Sequence, residues 1–313
     1  METLRTAVIG VGAMGKNHAR IYAELKNSEL VAIADINAEN KTLAEKLNCN
    51  FYKDYEEMLI KEKPDAVTIA TPTTLHYSIG TKILQKTNAL IEKPIATTLE
   101  EAFKLKETAE KNNKILAVGH IERFNPVVKY LQKWKTQHKA NFLAFNIVRV
   151  GPEPNSARIL DGVILDLAIH DIDVIRFLCN EEPTAINAKS SFFSNNKETH
   201  AHVWLKFNSC SASIVVNRIS PRKIRHLYAI LDKAFIYANY ITQSLTIYDT
   251  NAELDEMFLW HPKKVVELRY KEPLKLELEH FLECITKEKK PLNDADNAIQ
   301  NLKIALEAEK IGK

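Results

Sequence analysis

Gly10-Val11-Gly12-Ala13-Met14-Gly15 follows the apolar run Thr6-Ala7-Val8-Ile9 and opens onto Lys16-Asn17-His18-Ala19-Arg20-Ile21-Tyr22. The order is strand, glycine turn, helix. The chain holds only eight glycines, and three of them fall within these six residues, so the backbone itself is wanted here. A pyrophosphate explains this. The first glycine allows a tight turn, the second lets the main chain approach the anion, and the third lets helix pack on strand with its N-terminus facing the phosphates. Leu30-Val31-Ala32-Ile33-Ala34-Asp35 then reads as a second buried strand closed by a carboxylate. Asp35 stands twenty residues after Gly15, the spacing at which an acid takes a ribose 2′-hydroxyl. It repels a 2′-phosphate, and no arginine follows in Ile36-Asn37-Ala38. The dinucleotide expected is therefore NAD, with Gly10, Gly12, Ala13, Met14, Gly15 and Asp35 as contacts.

At 313 residues the chain suggests two domains of roughly 150 residues each. Hydrophobic residues make up 45% and charged residues 27%, which excludes disordered and fibrous classes. The net charge of +3 is too small to argue for a nucleic-acid partner. Cys49, Cys179, Cys210 and Cys284 lie far apart in the sequence without a CxxC pair, so they read as reduced, buried thiols and not as a zinc site or a disulfide framework. No apolar run nears the roughly 18 residues that cross a bilayer. Lys16 and Arg20 stand where a secretion signal wants small residues. The expected location is the cytoplasm.

Up to about residue 120, short apolar runs alternate with amphipathic segments, which predicts a doubly wound parallel sheet with helices on both faces. The strands expected are Thr6 to Ile9, Val31 to Asp35, Ala66 to Ala70, Ala89 to Ile91 and Ile115 to Val118. Helical spacing marks Ala38 to Leu47, Tyr55 to Lys61, Leu75 to Gln85 and Leu99 to Lys111, the last opened by a capping box at Thr98. After Gly119-His120 the texture changes. A helix from Pro126 to Trp134 leads to a strand from Phe142 to Val150, a loop containing Gly151, Pro152 and Pro154, and a long periodic helix from Asp161 to Leu178. Six strand signals follow, from Ala185 to Ile247, without long helices between them, which predicts one large antiparallel sheet joined by hairpins. Helices from Leu274 to Glu288 and Ala295 to Lys310 close the chain. The domains expected are 1–120 for the dinucleotide and 121–313 for substrate and oligomerisation.

Glycines 10 to 15 with His18, Thr71-Pro72 followed by His76, Glu92-Lys93-Pro94, Gly119-His120, and Asp166 with His170 occur in an order that resembles the Gfo/Idh/MocA family of oxidoreductases over nearly the whole chain. The resemblance implies an N-terminal Rossmann domain and a C-terminal α+β domain. The open, mostly antiparallel sheet of the latter commonly makes a homodimer or homotetramer. It adds Thr71, Pro72, Thr73, His76, Glu92 and Lys93 as residues around the cofactor.

Oxidising a secondary alcohol with NAD requires a group that takes the hydroxyl proton while hydride leaves the same carbon. Asp166 and His170, four apart, fall on one face of the expected helix. His170 is assigned as proton acceptor, a neutral imidazole being the better base near neutral pH, and Asp166 orients substrate or shares the relay. By resemblance Lys93 contacts both the nicotinamide ribose and the reacting hydroxyl, where an ammonium stabilises developing alkoxide; Lys93 as the base is the alternative. No Cys or third ligand recurs at useful spacing, so no metal is expected.

Arg123 and Asn125 follow the last parallel strand, placing them near a cleft mouth. Asn217-Arg218-Ile219-Ser220-Pro221-Arg222-Lys223-Ile224-Arg225 packs four cations into a turn between two strands. Arginines in such loops suit phosphate oxygens, which makes Arg123, Asn125, Arg218 and Arg222 candidate substrate contacts beside Lys93, Asp166 and His170. Both stretches resemble the family's sugar-nucleotide branch, the UDP-N-acetylglucosamine 3-dehydrogenases, and imply oxidation at C3 of a UDP-N-acetylhexosamine. An inositol or free-sugar dehydrogenase is the alternative, and a non-catalytic NAD sensor a second.

Overall fold

The computed structural model describes residues 3–153, 161–192, 197–249 and 263–313. Two compact units emerge, Met1–His120 with Leu274–Gln300, and Ile121–Pro273 with Asn301–Lys313.

The first unit carries six parallel strands: β1 (Leu4–Ile9), β2 (Ser28–Ala34), β3 (Asn50–Tyr52), β4 (Ala66–Ile69), β5 (Asn88–Ile91) and β6 (Leu116–Val118). Their spatial order is 3-2-1-4-5-6, the doubly wound arrangement whose order reverses between β1 and β4, where a ligand binds. Sheet strands covered on both faces have no polar side to show, and all four residues of β4 are buried. Helices α1 (Gly15–Glu24), α2 (Lys41–Leu47), α3 (Tyr55–Glu62), α4 (His76–Leu84) and α5 (Leu99–Lys111) connect them. The capping box forms: Thr98 Oγ1 accepts from the Glu101 amide at 3.2 Å and the Glu101 carboxylate accepts from the Thr98 amide at 3.3 Å, worth about 1 kcal/mol. The three residues of β3 are too few to show a period, so the pattern passes over them.

In the second unit, α6 (Pro126–His138) and α7 (Ile169–Cys179) share a core with one face of an eight-stranded sheet. Its strands are β7 (Phe142–Pro152), β8 (Ala185–Ser191), β9 (His200–Lys206), β10 (Ser211–Asn217), β11 (Ile219–Leu231), β12 (Ala234–Asn239), β13 (Ser244–Asp249) and β14 (Lys264–Glu267), in the order 14-13-12-11-7-10-9-8. Burial alternates along β12, Ala234, Ile236 and Ala238 facing inward, as a one-sided sheet requires. The sheet is mostly antiparallel, with one exception. β7 lies between β10 and β11 and runs parallel to β10, so β10 and β11 are not the hairpin their sequence order suggests. Gly151 and Pro152, expected in a loop, extend β7; Pro154 lies outside the described residues. The nine-residue basic stretch expected as a turn is strand from Ile219 onward, with pairing to β7 interrupted between Ile219 and Ile224.

The long helix expected from Asp161 is not one α-helix. Ile164–Ala168 forms a wide π-turn before α7 begins, a feature that concentrates at functional sites.

Two helices close the chain, α8 (Pro273–Thr286) and α9 (Ala295–Gly312). Where the sequence suggests that everything after residue 120 forms one domain, Leu274–Gln300 packs with the first unit. Leu274, Leu278, Phe281 and Leu282 make the buried stripe of α8. Asn293 pairs with Val118 of β6 through main chain (2.9 Å) and side chain (2.7 Å). No described helix is long and apolar enough to cross a membrane.

Candidate active site

In the first unit the candidate groups centre on the backbone of the glycine turn. Gly10 has φ +80°, and a Cβ there would come within 2.9 Å of the Ala70 carbonyl oxygen; a Cβ on Gly15 would stand 1.8 Å from the Gly10 oxygen. These two glycines serve packing. A Cβ on Gly12 would meet nothing within 4 Å, so that glycine borders open space where a pyrophosphate can approach. Ala13 and Met14 are exposed beside it. Asp35 Oδ2 accepts from the Val11 amide and Oδ1 from the Asn37 amide, both at 2.8 Å. This holds the half-buried carboxylate at the end of β2 with acceptor capacity left for ribose hydroxyls. The Thr71 hydroxyl, after β4, is buried without a hydrogen-bond partner, and Pro72 and Thr73 border it nearer the surface. An open glycine, an aimed acid and an orphaned hydroxyl at the switch point fit NAD.

Several residues expected around the cofactor lie deeper. His76 is buried, one ring nitrogen 2.8 Å from the Pro94 carbonyl and the other 2.9 Å from the Thr71 carbonyl, so it braces two site loops against each other. Glu92 is buried against His18, Oε1 to Nε2 at 2.7 Å. Burial opposes its ionisation, but the hydrogen bond and charge of His18, with the charge and amide of Lys93, outweigh that and hold its carboxyl below the usual range. Gly119 makes room for it: a Cβ there would meet Glu92 Oε2 at 2.7 Å. Glu92 thus anchors the end of β5, and the next residue, half-buried Lys93, is presented from a fixed backbone.

In the second unit the candidate groups are side chains. Asp166 sits in the π-turn and His170 in the first turn of α7, both half-buried. Arg218, buried in the break between β10 and β11, reaches Asp166 Oδ2 through Nη2 at 2.6 Å and the Asp161 carbonyl through Nη1 at 2.9 Å. Two site residues named from sequence therefore meet, with Arg218 engaged on a carboxylate. Arg222 is exposed where β11 departs from its pairing with β7. Glu198, which no pattern marks, is buried beneath the π-turn: its Oε1 accepts from the Ile164 amide at 3.2 Å, and a Cβ on Gly162 would come within 2.0 Å of it.

Arg123 and Asn125, expected at a cleft mouth, are inside the second unit. Arg123 makes a bidentate pair with Asp173 of α7, Nε to Oδ2 at 2.8 Å and Nη2 to Oδ1 at 2.6 Å. Asn125 caps α6 by accepting from the Val127 amide at 3.1 Å. Arg149 of β7 joins Asp171 at 2.7 Å and Glu122 at 2.9 Å. Burial disfavours its charge, yet these two acids dominate and raise its pKa. Arg225 is pushed down to about 10, first by burial and then by Arg149. The missed pairs had a signal: acids at 171 and 173 within the apolar stripe of a helix, and an arginine inside a mostly apolar strand, need partners wherever they are buried.

Comparison with known proteins follows the same division. The family model described as the GFO_IDH_MocA oxidoreductase family with an NAD-binding Rossmann fold matches residues 4–120, and that of the GFO/IDH/MocA C-terminal domain matches residues 142–237. A UDP-N-acetylglucosamine 3-dehydrogenase of Acidithiobacillus ferrooxidans is 31% identical over 91% of this chain and 90% of its own. Its solved structure superposes with a TM-score of 0.89 at 28% identity, covering 99% of this chain and 98% of that one. A scyllo-inositol 2-dehydrogenase (NAD(+)) of Bacillus subtilis is 24% identical over 97% of this chain and 93% of its own. A levoglucosan dehydrogenase solved with NADH and levoglucosan shares the fold at a TM-score of 0.88 and 20% identity, covering 99% of this chain and 97% of that one. With two matched domains and a glycine turn shaped for the dinucleotide, the chain belongs to the Gfo/Idh/MocA family of oxidoreductases and binds NAD through its N-terminal unit.

Proposed function

We propose that this oxidoreductase converts a secondary hydroxyl of a sugar to a ketone, at C3 of a UDP-N-acetylhexosamine. The observation that carries this reading is the similarity to a UDP-N-acetylglucosamine 3-dehydrogenase, which extends over 91% of the chain and so covers both the dinucleotide and the acid–base residues. NAD, when bound, supplies the hydride acceptor. Gly12 admits its pyrophosphate, Asp35 takes ribose hydroxyls, and Thr71 offers its unpartnered hydroxyl. His170 accepts the substrate proton, Lys93 polarises the reacting oxygen and stabilises alkoxide as it develops, and Asp166 orients the sugar. Arg218 acts on Asp166: a buried guanidinium bridging that carboxylate and a carbonyl fixes where the acid points. The diphosphate falls to exposed Arg222 and Lys223. Recognition of a free cyclitol is the second reading, favoured by the similarity to the scyllo-inositol enzyme across 97% of the chain. A homo-oligomer formed through the open sheet completes the proposal.

The test is reduced-nicotinamide absorbance after mixing enzyme and NAD with UDP-sugars in one panel and free sugars and inositols in another. Turnover with a UDP-N-acetylhexosamine alone, with KM raised about tenfold by the Arg222→Ala and Lys223→Ala double substitution, is the expected result. Turnover confined to free polyols overturns the substrate and keeps the chemistry.

A further inference from the structure

Cys179 ends α7, and Cys210 sits in the turn between β9 and β10. Thirty-one residues separate them in the chain, yet their sulfurs are 3.1 Å apart, and both residues are buried at 7% exposure. The approach is imposed from both sides. Asn180 stops the helix in the left-handed conformation at φ 58°. The next residue, Glu181, accepts from the Ser209 amide at 3.2 Å, while the Thr184 amide donates to the Lys206 carbonyl at 2.6 Å. Across the turn, the Phe207 amide donates to the Cys210 carbonyl at 2.8 Å. Neither backbone has to unfold for the sulfurs to close the remaining distance of about 1 Å to a bond of about 2.0 Å.

We infer that Cys179 and Cys210 form an oxidisable dithiol, whose disulfide pins the C-terminal end of α7 to the β9–β10 turn. The charged neighbours favour the chemistry. The hydrogen bond between the two thiols lowers the pKa of Cys210 against the opposing effect of burial, while the same bond, followed by burial, raises that of Cys179. Lys135, which donates to the Leu178 carbonyl at 3.3 Å, adds a cation that favours both thiolates, and Glu181 opposes it. With a hydroperoxide as oxidant, the Cys210 thiolate attacks the peroxide oxygen, breaking the O–O bond and forming a sulfenic acid, and the leaving oxygen takes a proton. Cys179 then attacks the sulfenyl sulfur, the S–S bond forms, and the hydroxyl leaves as water with the Cys179 proton. One hydroperoxide is reduced by two electrons, and two thiols become one disulfide.

The test treats the full-length enzyme with hydrogen peroxide, then denatures it, blocks remaining thiols with N-ethylmaleimide and maps non-reduced peptides. The expected result is two of the four thiols protected, one cross-linked peptide joining Cys179 to Cys210, and a thermal midpoint raised by a few degrees that dithiothreitol reverses. Cys179→Ser and Cys210→Ser each abolish the cross-link, and Cys49→Ser and Cys284→Ser leave it. Four reactive thiols after treatment, a cross-link through Cys49 or Cys284, or oxidation of Cys210 to sulfinic acid without a disulfide overturns the inference.

Discussion

The candidate groups of the two units are built from different material. Around Gly10 to Gly15 the candidate groups are an open glycine and one acid held by two backbone N–H donors. Around Asp166 they are side chains positioned by side chains from distant segments, Arg218 lying 52 residues from it. A backbone-built site is inscribed in a short motif, because the constraint is on which residues can adopt a conformation. A side-chain-built site depends on which segments tertiary folding brings together.

The sharpest way to break this contrast is to add one methyl group to each of two neighbouring glycines. Gly15→Ala places a Cβ 1.8 Å from a backbone oxygen and is expected to cost more than about 4 kcal/mol, the range of severe steric defects. Gly12→Ala meets no protein atom within 4 Å; its unfolding free energy should stay within about 0.5 kcal/mol while NAD affinity falls at least about tenfold. Calorimetry with and without NAD separates the two. Equal loss of stability in both would mean the turn is structural throughout.

In the second unit the corresponding pair of substitutions concerns two buried arginines. Arg123→Ala leaves Asp173 buried without its bidentate partner and should cost about 3 to 5 kcal/mol, with KM unchanged in the protein that remains folded. Arg218→Ala takes the guanidinium away from Asp166, whose side chain is 35% exposed, so stability should change less. Its kcat should fall about 10²-fold through misplacement of the acid. Urea unfolding and steady-state kinetics on both variants check this, and an unchanged kcat in Arg218→Ala would remove its positioning role.

A smaller effect tests the join between backbone and side chain at Glu92. Its folded pKa lies below its unfolded value of about 4.3. The resulting stabilisation is fully present above the unfolded value and is lost as pH falls through the folded one. His18→Gln removes the ring's contribution while burial still raises the Glu92 pKa, so the stability lost on acidification below the unfolded value should shrink relative to the wild type, or turn into a gain where the folded pKa passes the unfolded one. Urea midpoints measured from neutral pH to about 3 would reveal the shift; superimposable curves would show that His18 does not set the titration of Glu92.

Much of the first unit was legible in sequence. Buried parallel strands are continuous apolar runs, and Thr98 with Glu101 carries the capping signature in its spacing. The strand β3 was not legible, nor was the pairing of β7 between β10 and β11, since strand neighbours are chosen by packing across a sheet and not by order along the chain.

The sequence by itself determined the glycine turn and its acid, because each rests on local conformation or short-range spacing, whereas Asp166 and His170, expected on one helix face, fall in the π-turn and in α7. Tertiary structure alone decided that Arg123 belongs to Asp173, that Arg218 belongs to Asp166, and that α8 packs with the first unit. An arginine's charge specifies that it needs an acid once buried, but not which one; that choice is made when segments far apart in the chain leave water together.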